Sequence, residues 1–338
     1  MVESLDRTRS GLIVTRTPLR VSFAGGGTDL SVFYEKQPGA VLSTTINKYV
    51  YVTLRQHGEL FPEKYRINYS ETEQASRLDD IQNDITRECL RLLKIEGRLY
   101  LSVVGDLPAS SGLGSSSSFA VGLLHALHIY RGERVSPVQL AQEACQIEID
   151  ILGHPIGKQD QYAAAFGGLN FFSFSPDGGV TIEPYRLPED SSNKLFSHLM
   201  LFWTGIQRDA SAVLREQKRN TASKMESLER LRDQARHLRT MMNGSFDPVE
   251  FGEVLDSTWN IKRQLASTIT TDEIDRWYEG ARVAGAVGGK LLGAGGGGFL
   301  LLIVPPARQE SVRGALPDLT EVQAEFESHG SSLLLPSI

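Results

Sequence analysis

Hydrophobic and polar positions along the chain alternate between short β-branched runs and stretches of helical period. Leu12 to Ala24 reads as one or two strands, with Pro18 marking a break. Val41–Thr45 and Tyr49–Arg55 are further strand candidates, joined by a turn at Asn47-Lys48. Ile81, Ile85, Cys89, Leu92 and Leu93 recur at helical spacing over Ile81–Lys94, and Gly97 lies just beyond. Tyr100–Val104 predicts a short strand running into Gly105-Asp106-Leu107-Pro108, and the Ala- and Leu-rich stretch Ser116–Tyr130 a buried helix. Ser136-Pro137-Val138-Gln139 carries a helix start, with a Ser cap, Pro at the first helical position and Gln three residues after the Ser; that helix runs to about Ile151. Leu169–Phe174 and Val180–Pro184 pattern as a hairpin around Asp177-Gly178-Gly179.

Near Glu189–Asn193 the character of the chain changes, which places a domain boundary there and divides it into 11–193 and 194–338. Leu199–Trp203 is the next strand. Asp209–Met242 is highly charged at helical period and predicts one or two exposed helices; the alternating signs over Arg208–Arg239 read as a solvated face or an oligomer contact. Asp272–Ala284 predicts a helix whose first-turn Asp272 and Glu273 suit the dipole, and Phe299–Val304 an apolar strand. No internal repeat appears, which argues against solenoids and propellers.

Length narrows the architecture: 338 residues is about twice a typical domain, so two domains sharing a cleft are expected. Hydrophobic residues at 41% and charged residues at 22% describe a folded enzyme rather than a disordered chain. Lys plus Arg is 35 against 41 Asp plus Glu, a net charge of −6, which argues against a nucleic-acid partner while leaving room for a local basic pocket. No apolar run reaches the roughly 18 residues of a membrane span. The polar start MVESLDRTRS lacks the apolar stretch of a secretory signal, so the expectation is a cytoplasmic protein without a membrane partner. Cys89 and Cys145, both inside expected helices, read as buried, reduced packing residues.

Many of the 32 glycines fall in three tracts: Gly25-Gly26-Gly27, Gly112-Leu113-Gly114, and Gly293-Ala294-Gly295-Gly296-Gly297-Gly298. Glycine is kept in clusters where the chain needs φ > 0 or must approach a ligand closely, so the tracts predict loops converging on one site. The central segment, Leu107-Pro108-Ala109-Ser110-Ser111-Gly112-Leu113-Gly114-Ser115-Ser116-Ser117-Ser118, lies between an expected strand and an expected helix. A glycine-rich loop opening a helix presents free backbone N–H groups and the positive end of the dipole to phosphate, and its serine hydroxyls can bond phosphate oxygens or ligate Mg²⁺. It is not a Walker A loop, since no Lys follows the second Gly, and no tract has Rossmann spacing. A lone loop of this kind would read as a Ser-capped helix after a flexible turn.

Three segments in this order resemble the three motifs of the GHMP kinases, the family of galactokinase and of homoserine, mevalonate and phosphomevalonate kinases. Pro18-Leu19-Arg20-Val21-Ser22-Phe23-Ala24-Gly25-Gly26-Gly27-Thr28-Asp29 looks like the first motif, the central segment like the second, and Lys290-Leu291-Leu292-Gly293-Ala294-Gly295-Gly296-Gly297-Gly298-Phe299 like the third. Within the family, Gly-Gly-Gly-Thr-Asp together with Ala40–Tyr49 and Gly157–Gly168 is similar to the branch that phosphorylates heptose 7-phosphate at its anomeric hydroxyl; fucose-type kinases share much of the pattern. The resemblance implies an α+β (mixed α/β) two-domain fold, with an N-terminal ribosomal-protein-S5-like ATP-binding domain and a C-terminal ferredoxin-like domain, the ligands lying between them.

It also implies roles. Asp160, in Gly157-Lys158-Gln159-Asp160, is expected as the catalytic carboxylate, although outside the family context such an Asp is usually a helix cap. Arg20 stands where several relatives carry a Lys near the reacting phosphate, and is expected to neutralise charge during transfer. Pro108, Ser110, Gly112, Leu113, Gly114, Ser115, Ser116 and Ser117 are expected around the nucleotide. Ser116 and Glu148 are the expected Mg²⁺ ligands, with Asp150 as the alternative carboxylate. Gly26, Gly27, Thr28, Asp29, Lys158, Gly296 and Gly297 are expected around the sugar, with Asp29 also able to cap a helix. Lys158, Arg208 and Lys48 are candidates for a distal phosphate. His125 and His128, three apart on an apolar helix, have no accompanying Asp or Glu pattern and read as packing or partly exposed residues rather than half a metal site. The expected partners are ATP and a phosphorylated sugar, with a homodimer possible; a free-hexose kinase or a silent sugar- or nucleotide-binding regulator are the alternatives.

Overall fold

The computed structural model describes residues 11–186, 189–207, 213–216, 220–242 and 246–335. Its first half is built on β1 (Ile13–Ala24) and β2 (Gly39–Gln56), antiparallel neighbours on either side of the short α1 (Ser31–Tyr34). Pro18 does not end β1. The register slips between Pro18, opposite Tyr49, and Leu19, opposite Ile46, so Asn47 and Lys48 form a bulge inside one eighteen-residue strand rather than the expected turn. Pro18 has no N–H to give the ladder, which is where an interruption costs least. The displaced Asn47 pairs instead with Glu325, its N–H donating to the carbonyl at 2.9 Å and its Oδ1 accepting the Glu325 N–H at 2.8 Å.

The chain continues through β3 (Tyr65–Asn68), β4 (Thr72–Ala75), α2 (Asp84–Leu92), β5 (Leu99–Gly105), α3 (Ser115–Tyr130) and α4 (Pro137–Cys145). A π-helical turn, Gln146–Ile151, prolongs α4 and is followed by α5 (Gln159–Phe166), β6 (Leu169–Phe174) and β7 (Val180–Tyr185). Asn83 caps α2, accepting the Thr86 N–H at 2.9 Å, and Ser136 caps α4 ahead of Pro137 as its sequence predicts. The second half comprises α6 (Glu189–His198), β8 (Leu199–Trp203), α7 (Met225–Met242), α8 (Pro248–Lys262), α9 (Asp272–Ala284), β9 (Gly288–Leu291), β10 (Phe299–Ile303), α10 (Gln309–Ala315), β11 (Thr320–Glu321) and β12 (Ser332–Leu335).

Two sheets result. The larger has eight strands in the order β12-β1-β2-β5-β3-β4, with β6 on the first residues of β2 and β7 beyond it. The smaller is antiparallel, β11-β8-β10-β9, which in chain order is 4-1-3-2 with helices after the first and third strands: the ferredoxin-like order. The boundary expected at residue 193 falls inside α6, and the last strand, β12, lies in the larger sheet. Between β11 and β12 the chain crosses β2 and the end of α5: the Glu327 N–H reaches the Thr45 carbonyl at 3.1 Å, and the Ser331 N–H the Ala164 carbonyl at 3.0 Å.

Three apolar cores hold these layers. One lies between the larger sheet and α2–α5, where Thr15 Oγ1 donates to the Gly122 carbonyl at 2.8 Å and the absence of a side chain at Gly122 lets α3 close on Thr17. A second joins Leu19, Phe23 and Phe171 of the larger sheet to Leu238, Phe251 and Phe299, so the two halves share buried apolar surface. The third packs Trp259 and Tyr278, both fully buried, beneath the smaller sheet.

His128 is buried on α3 between Glu133, 2.8 Å from Nδ1, and Glu143, 2.8 Å from Nε2; His125 Nδ1 lies 3.0 Å from Ser331 Oγ. His125 is half-buried, and the buried His128 has the two acids that sequence spacing did not reveal. Burial pushes the His128 pKa down, but the two carboxylates outweigh it and leave it above the ordinary 6.5. A raised folded value stabilises the fold below the unfolded pKa, and that contribution fades as pH rises through the folded one. His128→Leu is therefore expected to lower the thermal midpoint more at pH about 6 than at pH about 9. An equal deficit at both would assign the residue's contribution to packing alone.

Candidate active site

The loop before α3 folds by positive φ at Ser110, Gly112 and Gly114 (57°, 83° and 77°). Gly114, in the left-handed region at the N-cap, leaves α3 without a side-chain cap, and no acid occupies its first turn. The helix thus opens with free N–H groups and an uncompensated positive dipole end, which favours an anion.

Two serines of that turn face one buried carboxylate. Ser116 Oγ donates to Glu148 Oε1 and Ser117 Oγ to Oε2, both at 2.7 Å, while Gln161 Nε2 donates to Oε2 at 2.8 Å. Glu148 comes from the π-helical turn after α4, an irregularity frequent at functional sites. Burial raises its pKa against the lowering by these three hydrogen bonds. Asp150, the alternative, is exposed.

Beside this pair, Arg20 of β1 grips Asp160 of α5 with both arms of its guanidinium: Nε to Oδ1 at 2.7 Å and Nη2 to Oδ2 at 2.6 Å, a charge-assisted fork. Its third nitrogen, Nη1, donates to the Gly112 carbonyl at 2.6 Å. A Cβ on Gly114 would lie 3.3 Å from both Arg20 Cγ and Asp160 Oδ2, so the ion pair sits directly against the anion-binding loop.

Asp29 completes the acidic side. Its Oδ1 accepts the Gly27 N–H at 2.9 Å and its Oδ2 the Gln159 N–H at 3.2 Å. A side chain at Gly157 would lie 2.0 Å from Oδ2, so only glycine allows the α5 loop to close on it. Burial, then the charge of Asp160, raises the Asp29 pKa from 3.8 to about 6.

The third glycine tract lies on the second, backbone against backbone. A Cβ on Gly293 would lie 2.4 Å from Gly112 Cα, and the Phe299 N–H donates to the Ser111 carbonyl at 3.2 Å. All three tracts enclose one cavity of about 320 Å³.

The cavity wall includes Arg20, Gly26, Gly27, Asp29, Ser110, Gly112, Gly114, Ser115, Ser116, Ser117, Glu148, Asp160 and Gly297 from among the expected residues. Others stand outside it. Thr28 is spent on the Gly25 and Ala40 carbonyls at 2.8 and 3.0 Å, which fastens the first tract to β2. Leu113 is a core residue whose carbonyl accepts the Arg20 N–H, and the Gly296 N–H is taken by the Ile269 carbonyl. Pro108 is not part of the wall. Lys158 turns away: its Nζ donates to the Gly178 carbonyl at 2.7 Å and lies over the Tyr34 ring, beside a separate depression. Lys48 sits in the β2 bulge away from the wall, and Arg208 lies outside the described residues. Ser22, Gln159, Thr258, Lys262 and Lys290 line the cavity without having been expected there. Lys290 carried a legible signal, as the single charge in the otherwise apolar and glycine run 288–292; Lys262, at the end of an amphipathic helix, carried none.

Residues 83–168 match the GHMP kinases N terminal domain and residues 238–321 the GHMP kinases C terminal. The chain is similar to the D-glycero-alpha-D-manno-heptose 7-phosphate kinase of Campylobacter jejuni, 32% identical over 316 residues that span 90% of this chain and 93% of the relative. The crystal structure of a D-glycero-D-manno-heptose 1-phosphate kinase from Bacteroides thetaiotaomicron superimposes with a TM-score of 0.79 at 25% identity, covering 96% of this chain and 99% of the other. Lactococcus lactis galactokinase complexed with galactose shares the fold, with a TM-score of 0.73 at 17% identity over 95% of each chain. Together with the cleft, these likenesses define an ATP-dependent sugar kinase. The chain belongs to the GHMP kinase family, and its fold is the two-domain α+β fold that the three motifs led one to expect. No helix among the described residues is long and apolar enough to cross a membrane.

Because the folded pKa of Asp29 lies above its unfolded value, its carboxylate destabilises the fold above pH about 6, and that cost vanishes as pH falls below 3.8 and both states are protonated. Asp29→Asn is expected to raise the thermal midpoint most above pH about 6, where it adds at most about 3 kcal/mol to the unfolding free energy, less the Gln159 bond that an amide nitrogen cannot accept. A midpoint unchanged across the whole pH range would contradict the buried, strained charge described here.

Proposed function

We propose that the enzyme transfers the γ-phosphoryl group of ATP to the anomeric hydroxyl of D-glycero-D-manno-heptose 7-phosphate, giving the 1,7-bisphosphate. The similarity to the Campylobacter jejuni kinase supports the substrate. The observation that carries the reaction is the Arg20–Asp160 fork against the loop at the open end of α3, which puts a proton acceptor, a fixed cation and an anion cradle in one cavity.

In this reading Ser110, Gly112, Gly114, Ser115 and Ser117 surround the triphosphate, their amides and the Ser110 and Ser115 hydroxyls donating to its oxygens, while the Ser117 hydroxyl stays on Glu148. Glu148 and Ser116 offer adjacent hard oxygens, a donor set that suits Mg²⁺. When bound, the metal neutralises charge on the phosphates. Asp160 accepts the hydrogen bond of the attacking hydroxyl and aims its oxygen at the phosphoryl group, and takes the proton as the new P–O bond forms. Arg20 holds that carboxylate in place and sets a positive charge beside the transferred group. Asp29 accepts hydrogen bonds from sugar hydroxyls, the closed backbone of Gly26, Gly27 and Gly297 giving the ring room.

ATP consumption with Mg²⁺ is the test, using D-glycero-D-manno-heptose 7-phosphate, free heptose, mannose, fucose and galactose. The 7-phosphate is expected to give much the highest kcat/KM, with free heptose turned over only weakly. Asp160→Asn should lower kcat by about 100-fold or more with little change in the KM for ATP. Glu148→Gln should raise the Mg²⁺ concentration needed for half-maximal rate. Turnover of a free hexose alone would reassign the substrate, and an undiminished Asp160→Asn would remove the carboxylate from the reaction.

A further inference from the structure

The roles above leave two cations in the cavity wall unused. Lys290 on β9 is 3% exposed, and its Nζ donates to the Phe23 carbonyl at 3.0 Å. Lys262, at the end of α8, donates to the carbonyls of Leu291 at 3.0 Å and Gly293 at 2.6 Å. Among the described residues neither forms an ion pair with a carboxylate; the charges that act on them are each other and Arg20, which Asp160 already occupies. Buried ammonium groups without an anion are costly. In keeping with this, burial and then Arg20 push the Lys262 pKa down to about 7, and burial, then Lys262 and Arg20, hold that of Lys290 well below the ordinary 10.5.

The same wall holds two orphaned hydroxyls. Ser22 Oγ and Thr258 Oγ1, at 6% and 1% residue exposure, have no hydrogen-bond partner among the described residues. Buried polar atoms are nearly always paired, so unpaired ones in a cavity wall point to a ligand that completes them. Their position indicates which ligand. Ser22 and Phe23 lead into the glycine turn that ends at Asp29, and a Cβ on Gly26 would face Ser22 Oγ at 3.9 Å and Gln159 Nε2 at 3.6 Å. The triphosphate has its own donors on the loop and first turn of α3, whereas these four side chains come from β1, α8 and β9.

We propose that Ser22, Thr258, Lys262 and Lys290 form a subsite for a phosphate monoester carried by the sugar itself. The inference deepens the heptose 7-phosphate reading and rests on it. Two ammonium groups match the double charge of the monoester, and the two hydroxyls donate to its oxygens. Lys158, expected beforehand to meet such a group, faces away from the cavity.

Steady-state kinetics on Lys262→Met, Lys290→Met and the uncharged Thr258→Val test this, each with heptose 7-phosphate and with free heptose. Either lysine change is expected to raise the KM for the 7-phosphate about tenfold or more. The rise should be absent with free heptose, so the preference for the phosphorylated sugar collapses. The lysine variants lose the bonds to the Gly293 and Phe23 carbonyls, so their thermal midpoints are expected to fall modestly, a loss common to both sugars; Thr258→Val, the least disruptive change, should raise the same KM by a few-fold. Equal losses on both sugars, or a matching rise in the KM for ATP, would place the lysines on the transferred phosphate and overturn the subsite. Wild-type enzyme that requires the 7-phosphate while all three variants keep its KM would overturn the subsite alone. Wild-type enzyme that turns over only free sugars would overturn the substrate reading and the subsite with it.

Discussion

The cleft depends on two backbones that touch with no side chain between them. The loop of Gly112 belongs to the half of the chain that makes the larger sheet, and the tract of Gly293 to the half that makes the smaller. A Cβ on Gly112 would stand 2.7 Å from the Leu292 carbonyl oxygen, and one on Gly298 2.5 Å from that of Ser111. At such distances nothing larger than hydrogen fits, so glycine at these points sets how close the sheets come. The neighbouring cations fasten the same contact from both sides. Arg20 holds the Gly112 carbonyl and Lys262 the Gly293 carbonyl, so the open end of α3, the Asp160 carboxylate and the wall of the smaller sheet are placed relative to one another by close main-chain contact that two cationic side chains clamp.

Charge in the cavity is distributed unevenly. Arg20 and Asp160 neutralise each other, and Glu148 is held by three neutral donors, but the buried Asp29 and Lys290 and the half-buried Lys262 have no counter-charge in contact among the described residues. Each costs folding free energy in the empty protein. The molecule tolerates this because large apolar cores lie around the cavity, including one that spans both halves. A cleft that binds a highly charged nucleotide beside a polar sugar gains by leaving such groups without an internal counter-charge, since every internal ion pair would have to be broken when the ligand enters.

Much of this was legible in the residues. Strands such as Leu199–Trp203, helices such as Asp272–Ala284 and the hairpin around Gly178 follow from apolar period and capping chemistry, and the convergence of the glycine tracts followed from what glycine is needed for. The continuity of β2 did not follow, because Asn47-Lys48 has turn chemistry and only the opposing Pro18 and the distant Glu325 make it a bulge. β12 was missed because four residues carry too little pattern and their partner lies some three hundred positions away in β1. In the site, residues inside motifs were found and those outside were not: Thr258 and Lys262 occupy an ordinary amphipathic helix, and their exposure to a cavity is set by tertiary packing. Lys158 shows the converse, since a motif names a segment and the backbone decides which way each side chain turns.

The return of β12 to the side of β1 bears on how the polypeptide comes to be folded at all. The larger sheet contains β1 and is finished only by β12, so a chain growing from its N-terminus must carry the free edge of β1 exposed until Ser332–Leu335 have been made. The strap from Glu325 to Ser331 closes over α5 at the same moment. The halves are therefore successive in sequence but not in assembly: the sheet that bears Arg20 gains its last strand, and the helix that bears Asp160 its last support, only after the smaller sheet has been synthesised.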